Sequence, residues 1–297
     1  MTEIALPRNR PTFALELRAP HPALRRLAPG VALLLVIGAA TLLLPLVLPY
    51  SPEAQSIGER LRPPSADHWL GTDSFGRDVL SRLLAGGQIS LAVGVLSMLV
   101  TVVLGVLVGA SAGYFGGRID AVLMRLTELI MVFPTFFLII LIVASFGGSV
   151  ALLILVIGLT SWPVGARIVR GEVLKTRRRD FVLAAESVGA RARWIILRHV
   201  LPNVISVIIV SATVRVGANI LVEAGLSYLG LGVQPPLASW GNMVSAGAQV
   251  IRTEWWLTAI PAAAIFLAVL GFNLMGEALR DVLDPRNGRQ PSGGASK

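Results

Sequence analysis

Long uncharged stretches separated by short charged segments dominate the chain. No charged residue occurs in residues 28–50, 83–117 or 129–166, which are runs of 23, 35 and 38 residues. Because an α-helix rises 1.5 Å per residue, about 20 apolar residues cross the hydrocarbon layer of a bilayer. The pattern therefore predicts one transmembrane helix over 28–50, a second over about 88–111, and two more in the third run.

The remaining helices of the predicted membrane domain are separated by turn residues. Phe146-Gly147-Gly148-Ser149 is the natural turn within the third run, and Pro134 and Pro163 are expected to bend the helices on either side of it. The segment 224–240 is too rich in Gly and Pro to form one regular helix. We predict helices three to six at about 121–145, 149–169, 203–226 and 257–276. The expected fold is an all-α membrane protein with six transmembrane helices.

Composition agrees with a membrane location. Of the 297 residues, 54% are hydrophobic and 14% charged, which is too apolar for an ordinary soluble domain. A net charge of +9 raises the question of nucleic-acid binding, but the basic residues lie in loops between apolar runs rather than on a folded face. The absence of Cys excludes disulfides, thiol catalysis and thiolate metal sites.

Lys and Arg are unevenly distributed between the predicted loops. Twenty lie in the two tails and in the loops after helices two and four, whereas five lie in the loops on the other side. Because positive residues favour cytoplasmic loops, we expect cytoplasmic tails at 1–27 and 278–297 and a cytoplasmic loop at 170–202. Residues 51–86 then form an external segment, and 87–277 form the core transmembrane domain.

The loop 170–202 is the largest on the cytoplasmic side and has helical character. Asp180 is placed to cap a helix that ends at Gly189, and a second helix is predicted to begin near Ala192. Apolar residues recur at helical spacing in the first helix, at Phe181, Ala184, Ala185 and Val188. Such an amphipathic helix suits the groove of a partner protein. The alternative is a basic loop that only satisfies membrane topology.

The external segment concentrates polar residues ahead of helix two. We expect Asp73 or Ser74 to cap an amphipathic helix that runs along the outer interface through Val79 and Leu84. His68 with two nearby aspartates is an alternative metal site. We favour a structural role, in which Asp73, Arg77 and Asp78 satisfy one another as a charge network and as helix caps.

Two patterns concern how the helices meet. Gly105 and Gly109 form a Gly-x-x-x-Gly pair on helix two, which permits close helix packing. Arg215, Asn219 and Glu223 are spaced by four on helix five, so they share one face that should point towards the bundle interior. They either line a translocation path or form an Arg-Asn-Glu network, partly with neighbouring helices, that only fixes packing.

Several separated motifs resemble one family. Ala184, Ala185, Gly189, Leu201 and Pro202 have the spacing of the "EAA" loop in the membrane subunits of ABC importers, although Leu183 replaces the glutamate of the motif. The remaining matches are to the C-type permease of dipeptide, oligopeptide and nickel ABC importers. They are His68-Trp69-Leu70-Gly71-Thr72-Asp73 with Gly76-Arg77-Asp78, the run from Gly225 to Asn242, and Leu279 to Arg286.

The resemblance implies a type I ABC importer permease in a prokaryotic cytoplasmic (inner) membrane. Its partners would be a homologous B-type permease, two cytoplasmic ATP-binding subunits and an external substrate-binding protein. The helix that begins with Asp180 and Phe181 would dock on an ATP-binding subunit. The expected cargo is a di- or oligopeptide, with nickel or another small solute as the alternative. No cofactor is expected.

Other function classes have weaker support from the sequence. The chain has no G-x-x-x-x-G-K-[ST] phosphate loop, so ATP hydrolysis is expected on partner subunits and the chain itself is not expected to be an enzyme. An ion-gradient-driven secondary transporter is a rival, although no inverted internal repeat is visible. An intramembrane enzyme would depend on Arg215 and Glu223, neither of which is a convincing nucleophile.

Overall fold

The computed structural model describes residues 22–283, with side chains from residue 27 onward. The predicted tails at 1–21 and 284–297 lie outside the described residues. The described chain is helical, and its ten α-helices are α1 (Pro22–Leu43), α2 (Val79–Phe115), α3 (Gly117–Val132), α4 (Thr135–Phe146), α5 (Val150–Arg177), α6 (Asp180–Ser187), α7 (Ala192–Ile195), α8 (Leu201–Tyr228), α9 (Trp240–Ala248) and α10 (Trp256–Leu283).

Six membrane crossings are present when one bent pair is counted as a single span. Five segments are long and apolar enough to cross a membrane: Leu27–Leu46, Val79–Phe115, Val150–Arg177, Ala192–Tyr228 and Trp256–Leu283. The sixth is the pair α3 and α4, whose axes meet at 77°. The predicted count of six transmembrane helices is thus confirmed. The bend at Pro134 is much sharper than expected, because Phe133 and Pro134 leave the helix with extended backbone and α4 starts anew at Thr135.

The helix that crosses the membrane second is longer than predicted. It begins directly after Asp78, whose carboxylate accepts from the Ser81 amide, so the prediction of Asp73 or Ser74 as the cap is wrong. The helix then continues without a break from Val79 to Phe115, and the separate amphipathic helix at the interface is also wrong. A buried start, with Val79 1% exposed, places this turn inside the protein rather than along a membrane surface.

Two other helices are also longer than predicted. Helix α1 includes residues 22–27 and α10 includes residues 278–283, although both segments were predicted to belong to the tails. Residues 229–239 separate α8 from the short helix α9, as the Gly and Pro content of that segment predicted. Trp240, the first residue of α9, is buried, and its indole nitrogen donates to Leu83 O over 2.9 Å.

Helix α2 lies at the centre of the bundle and packs most extensively against α5. Gly105 and Gly109 face α5, where Cβ atoms would meet the backbone at Ala166, so the predicted close approach is confirmed. Helix α8 packs against α2 and α10, and α1 packs against α10. This arrangement gathers the ends of α2, α5 and α8 around α6.

Candidate functional site

Helix α6 has one buried side and one exposed side. Val182 and Ala185 point into a core shared with α2, α5 and α8, whereas Phe181, Ala184 and Val188 are exposed. In a helix of 3.6 residues per turn Phe181 and Val188 border Ala185 on the same side, so the edge of the buried surface runs between them. Ala185 was predicted to belong to the docking face, but it is 9% exposed and packs in the core, so the prediction is wrong for this residue. The other three residues remain available to a partner.

Leu183 enlarges the exposed apolar area of this helix. It is 48% exposed, beside Phe181 at 38% and Val188 at 84%. Leu183, which replaces the glutamate of the motif, is thus an exposed apolar residue. We call Phe181, Leu183, Ala184 and Val188 the α6 surface.

The ends of α6 are set by backbone geometry more than by side-chain caps. Arg179, not Asp180, occupies the N-cap position, and Asp180 is the first helical residue, so the predicted cap is wrong. Gly189 has φ +78°, in the left-handed region that favours glycine, which confirms the predicted turn. The chain then enters α7 at Ala192, as predicted. Helix α8 starts with Leu201 and Pro202, which follow a π-helical turn at Ile196–Val200.

A polar contact joins α6 to the end of α2. The hydroxyl of Tyr114 donates to Glu186 Oε1 over 3.0 Å. The guanidinium of Arg177, at the end of α5, lies 5.3 Å from the Tyr114 ring centroid and 3.9 Å from Glu186 Oε1. Tyr114 and Ala185 also share one apolar core. Three elements, α2, α5 and α6, therefore meet at Tyr114.

A second contact fixes α3 to α5 on the same side of the bundle. Arg170 donates to the two oxygens of Asp120 over 2.5 and 2.6 Å, which is the bidentate geometry that guanidinium and carboxylate favour. Displacement of the end of α5 would therefore move α3 as well.

The external motif folds into a compact turn ahead of α2. Thr72 and Asp78 pair as an antiparallel bridge, and the Val79 amide donates to Gly71 O over 3.1 Å. Gly71 and Gly76 both have positive φ, and a Cβ at either would collide with backbone carbonyl oxygen atoms of the preceding loop. All six motif residues therefore lie together: Gly71, Thr72, Asp73, Gly76, Arg77 and Asp78.

The charges of this turn are paired, but not as one continuous network. Arg77 Nε donates to Asp73 Oδ2 over 2.7 Å, and Arg82 lies 3.5 Å from the same oxygen. Asp78 instead contacts His68 Nδ1 over 2.9 Å, while His68 Nε2 faces Glu59 at 3.6 Å. The predicted pairing is found for Asp73 and Arg77, whereas Asp78 caps α2 and contacts His68 instead of Arg77. Within residues 22–283, no group of three or more His, Cys, Asp or Glu is arranged to hold a metal ion.

The three polar residues at four-residue spacing on α8 differ in burial: Glu223 and Asn219 are buried, and Arg215 is half-buried. Glu223 is 0% exposed and accepts from Ser90 over 2.9 Å and from Ser227 over 2.6 Å. Asn219 is also buried and donates to Ser97 on α2 over 2.8 Å. Arg215 is half-buried and has no hydrogen-bond or ion-pair partner among the residues that the structure describes. An Arg-Asn-Glu network is therefore absent from the described chain, and Glu223 and Asn219 instead bind α8 to α2.

Arg215 lies in the wall of a cleft between the α3–α4 pair, α5 and α8. The cleft has a volume of about 300 Å³, and its polar side chains include Thr135, Ser161 and Asn219. Of the described residues that line it, Arg215 alone is charged. The other side of Arg215 lines a narrower cleft between α2, α5 and α8.

Sequence reasoning missed the contacts that connect the elements of the site. Tyr114, Glu186 and Asp120 had no motif to mark them, and their partners lie between 50 and 72 residues away in the chain. Ser90 and Ser97 likewise lie more than 120 residues from Glu223 and Asn219. The seven-residue spacing of Ser90 and Ser97 on α2 was the available signal, but spacing alone does not identify the opposing helix.

Comparison with known proteins gives a consistent result. Residues 105–289 match the family described as binding-protein-dependent transport system inner membrane component. The chain is 42% identical to the dipeptide transport system permease protein DppC of Bacillus subtilis, over 86% of this chain and 81% of the relative. It is 41% identical to the glutathione transport system permease protein GsiD of Pectobacterium atrosepticum, over 81% and 80%. It is 36% identical to the oligopeptide transport system permease protein OppC of Bacillus subtilis, over 86% and 84%.

Proposed function

Because the chain belongs to the family of binding-protein-dependent transport system inner membrane components, we propose that it is the C-type permease subunit of an ATP-driven peptide importer. In this proposal it spans the cytoplasmic membrane with a homologous B-type permease. Two ATP-binding subunits dock on the cytoplasmic side, and a substrate-binding protein delivers cargo from outside. ATP is hydrolysed on the docked subunits, so this chain does no chemistry itself.

The observation that carries the proposal is the α6 surface. Phe181, Leu183 and Val188 are exposed apolar residues on a short helix whose other face is fixed in the core by Val182 and Ala185. An apolar helix face held rigidly at the end of a bundle suits a groove on a partner protein. We assign that groove to an ATP-binding subunit.

The orientation follows from charge. The loops at the α6 end of the bundle, together with both tails, hold twenty of the 26 Lys and Arg residues. The positive-inside rule places that end, and both termini, in the cytoplasm. The α6 surface then faces the compartment that contains ATP.

Motion of α6 would reach the membrane helices through identified contacts. In our proposal ATP draws the two docked subunits together, and α6 moves with the subunit that holds it. Tyr114–Glu186 transfers this displacement to α2, and the Ala185 core transfers it to α5 and α8. Arg170–Asp120 carries α3 along with α5. The cleft between these helices then changes its accessibility from one side of the membrane to the other.

Peptides are the proposed cargo because the relatives described above are named for dipeptide, glutathione and oligopeptide transport. Glutathione is itself a tripeptide, so the three names share one chemical class. The cleft beside Arg215 offers a charged group and several hydroxyl and amide groups, which suit a peptide backbone. We propose that it forms part of the translocation path.

The first test is reconstitution of the complete importer from its native membrane. The tagged chain is purified in mild detergent, its companions are identified by mass spectrometry, and the assembly is placed in proteoliposomes with ATP inside. We expect ATP-binding subunits and a second permease to accompany the chain, and labelled peptide to accumulate only when binding protein and ATP are present. Collapse of the proton and sodium gradients with ionophores should leave uptake unchanged.

Two results would refute the proposal. A chain that purifies alone, with uptake that responds to an ion gradient and not to ATP, would identify a secondary transporter. An assembly that hydrolyses ATP but moves no peptide would retain the importer class and exclude the peptide cargo.

A further inference from the structure

Arg215 is a charged residue within the membrane domain, and packing within the chain does not explain its position there. It is the fifteenth residue of α8, close to the middle of a 28-residue helix. At 1.5 Å per residue it lies about 20 Å from either end, and therefore within the hydrocarbon layer of the bilayer. An ionised side chain at that depth is costly unless it is paired or faces water.

Pairing within the chain does not neutralise it. The residue with the complementary charge on the same face, Glu223, is two helical turns away and receives its hydrogen bonds from Ser90 and Ser227. Asn219, which lies between them, is bound to Ser97. Among the described residues no acceptor contacts the Arg215 guanidinium. The group is therefore free to bind an anion.

The cleft beside Arg215 has the chemistry of an anion site. The other polar side chains in its lining are uncharged, at Thr135, Thr160, Ser161 and Asn219. The Thr135 and Ser161 hydroxyls can help to solvate a bound carboxylate without competing for the guanidinium. A guanidinium presents several donors in one plane and matches a carboxylate with two parallel hydrogen bonds. The depth of the site separates it from lipid headgroups.

We propose that Arg215 binds the C-terminal carboxylate of the translocating peptide. This inference rests on the proposed peptide importer and names the group that the cleft recognises. A carrier of peptides with varied side chains can rely only on atoms that all peptides share, and the terminal carboxylate is the shared anion. The Arg215 guanidinium therefore distinguishes peptides with a free C-terminal carboxylate from peptide amides, whatever the peptide's sequence.

The test compares one peptide with its C-terminal amide in the reconstituted complete importer. Both forms are used at concentrations that saturate the binding protein, which is verified beforehand by its own tryptophan fluorescence. The variants are Arg215→Gln and Arg215→Lys, with Arg252→Gln as the matched control. Arg252 carries the same charge but is exposed in the loop between α9 and α10. Assembly of each variant is checked by recovery of all subunits on size-exclusion chromatography.

We expect Arg215→Gln to lower uptake of the acid by about tenfold or more, since hydrogen bonds to charged groups are the strong ones, while uptake of the amide changes by less than about twofold. Arg215→Lys should assemble normally and keep a reduced preference for the acid. Arg252→Gln should behave as wild type.

Other outcomes would overturn the inference. Equal loss for acid and amide, or failure of both Arg215 variants to assemble, would indicate that the guanidinium pairs with a carboxylate of the second permease. Unchanged uptake of both forms would show that Arg215 binds neither. Absence of peptide uptake by the wild-type assembly would refute the proposed function itself, whereas wild-type uptake without the acid-specific loss refutes the carboxylate site alone.

Discussion

The Tyr114 hydroxyl, in the last turn of α2, donates a hydrogen bond to Glu186 Oε1 near the end of α6 over 3.0 Å. These residues are 72 positions apart, and they join the helix at the centre of the bundle to the helix that carries the α6 surface. The ring of Tyr114 meanwhile lies beneath Arg177, at the end of α5. A displacement of α6 along its axis must therefore stretch this bond or pull on α2 and α5 together.

The first prediction concerns that link. Tyr114→Phe removes the hydroxyl and keeps the ring, and Glu186→Gln keeps the acceptor but removes its charge. We expect both variants to assemble and hydrolyse ATP, with peptide uptake per ATP reduced about three- to tenfold, because Tyr114→Phe removes the bond between α2 and α6 and Glu186→Gln weakens it. The double variant should be little worse than Tyr114→Phe alone, because both changes act on the same contact.

Tyr228→Phe is the matched control for the tyrosine. Tyr228 lies at the other end of the bundle, is exposed, and loses the same atom. Additive losses in the double variant, or equal losses in the control, would contradict a direct coupling role for Tyr114 and Glu186.

The second prediction compares neighbouring alanines on α6. Ala184→Asp places a charge on the exposed face, and Ala185→Asp places it in the core beside Val182 and Ile195. We expect Ala184→Asp to keep normal yield in the membrane while recovery of ATP-binding subunits falls. Ala185→Asp should lower the yield of folded protein, since an unpaired buried charge is strongly destabilising. Quantitative immunoblotting of membranes and of purified complexes measures both. The reverse pattern would show that Ala185, not Ala184, meets the partner.

The third prediction concerns the turn after α6. A side chain at Gly189 would meet no atom within 4 Å, so space is not the constraint there. Its φ of +78° is the constraint, because β-branched residues rarely adopt it and Asn does so more readily. Gly189→Val should therefore reduce uptake per ATP more than Gly189→Asn does. Gly171→Ala, in the C-terminal part of α5 where an added Cβ would meet no atom within 4 Å, serves as the control. Equal activity of the Val and Asn variants would show that the turn conformation is not required.

Elements within the membrane were largely predictable because their signal is local. An uncharged run of sufficient length specifies a crossing, and the small residues at Gly105 and Gly109 specified a close helix contact. The turn at Gly189 was likewise predictable, since glycine is the residue that most readily adopts positive φ. The boundaries were less accurate. Helix α2 begins before its apolar run, where Val79 packs against Met243 and Leu257, and α5 continues past its run, where Val173 packs in one core with Tyr114 of α2.

Features that depend on opposing surfaces were not predictable in this way. The spacing of Ala184 and Ala185 placed both on an apolar helix, but which of them the core covers depends on where α7 and α8 lie. Similarly, the four-residue spacing of Arg215 and Glu223 indicated a shared face. It did not reveal that one serine on α2 and one on α8 bind Glu223, while Arg215 is left open. Periodicity identifies a face, and only the tertiary structure identifies its partner.

The fourth prediction tests the buried carboxyl group on α8. Ser90 donates to Glu223 and accepts from the Trp240 amide over 3.2 Å, so these residues join α2, α8 and α9. We expect Glu223→Gln and Ser90→Ala each to lower thermal stability by about 1–3 kcal/mol, because each leaves a buried polar group unsatisfied. Glu277→Gln, on an exposed position of α10, should have no measurable effect. Stability is followed as the fraction of monodisperse protein after heating. Wild-type stability of both buried variants would show that the contact is dispensable.

The last prediction tests the contact between α2 and α5 with one substitution at two sites. A Cβ at Gly109 would overlap Ala166 O and lie 2.9 Å from Val169 Cβ, whereas a Cβ at Gly165 would meet nothing within 4 Å. Gly109→Ala must therefore separate the helices and should lower stability by about 1–3 kcal/mol. Gly165→Ala should be neutral or stabilising by up to about 1 kcal/mol, because alanine favours the helix. The same heating assay measures both variants. If they shifted stability equally, helix propensity rather than interhelical distance would determine the effect, and the close approach of α2 to α5 would be refuted.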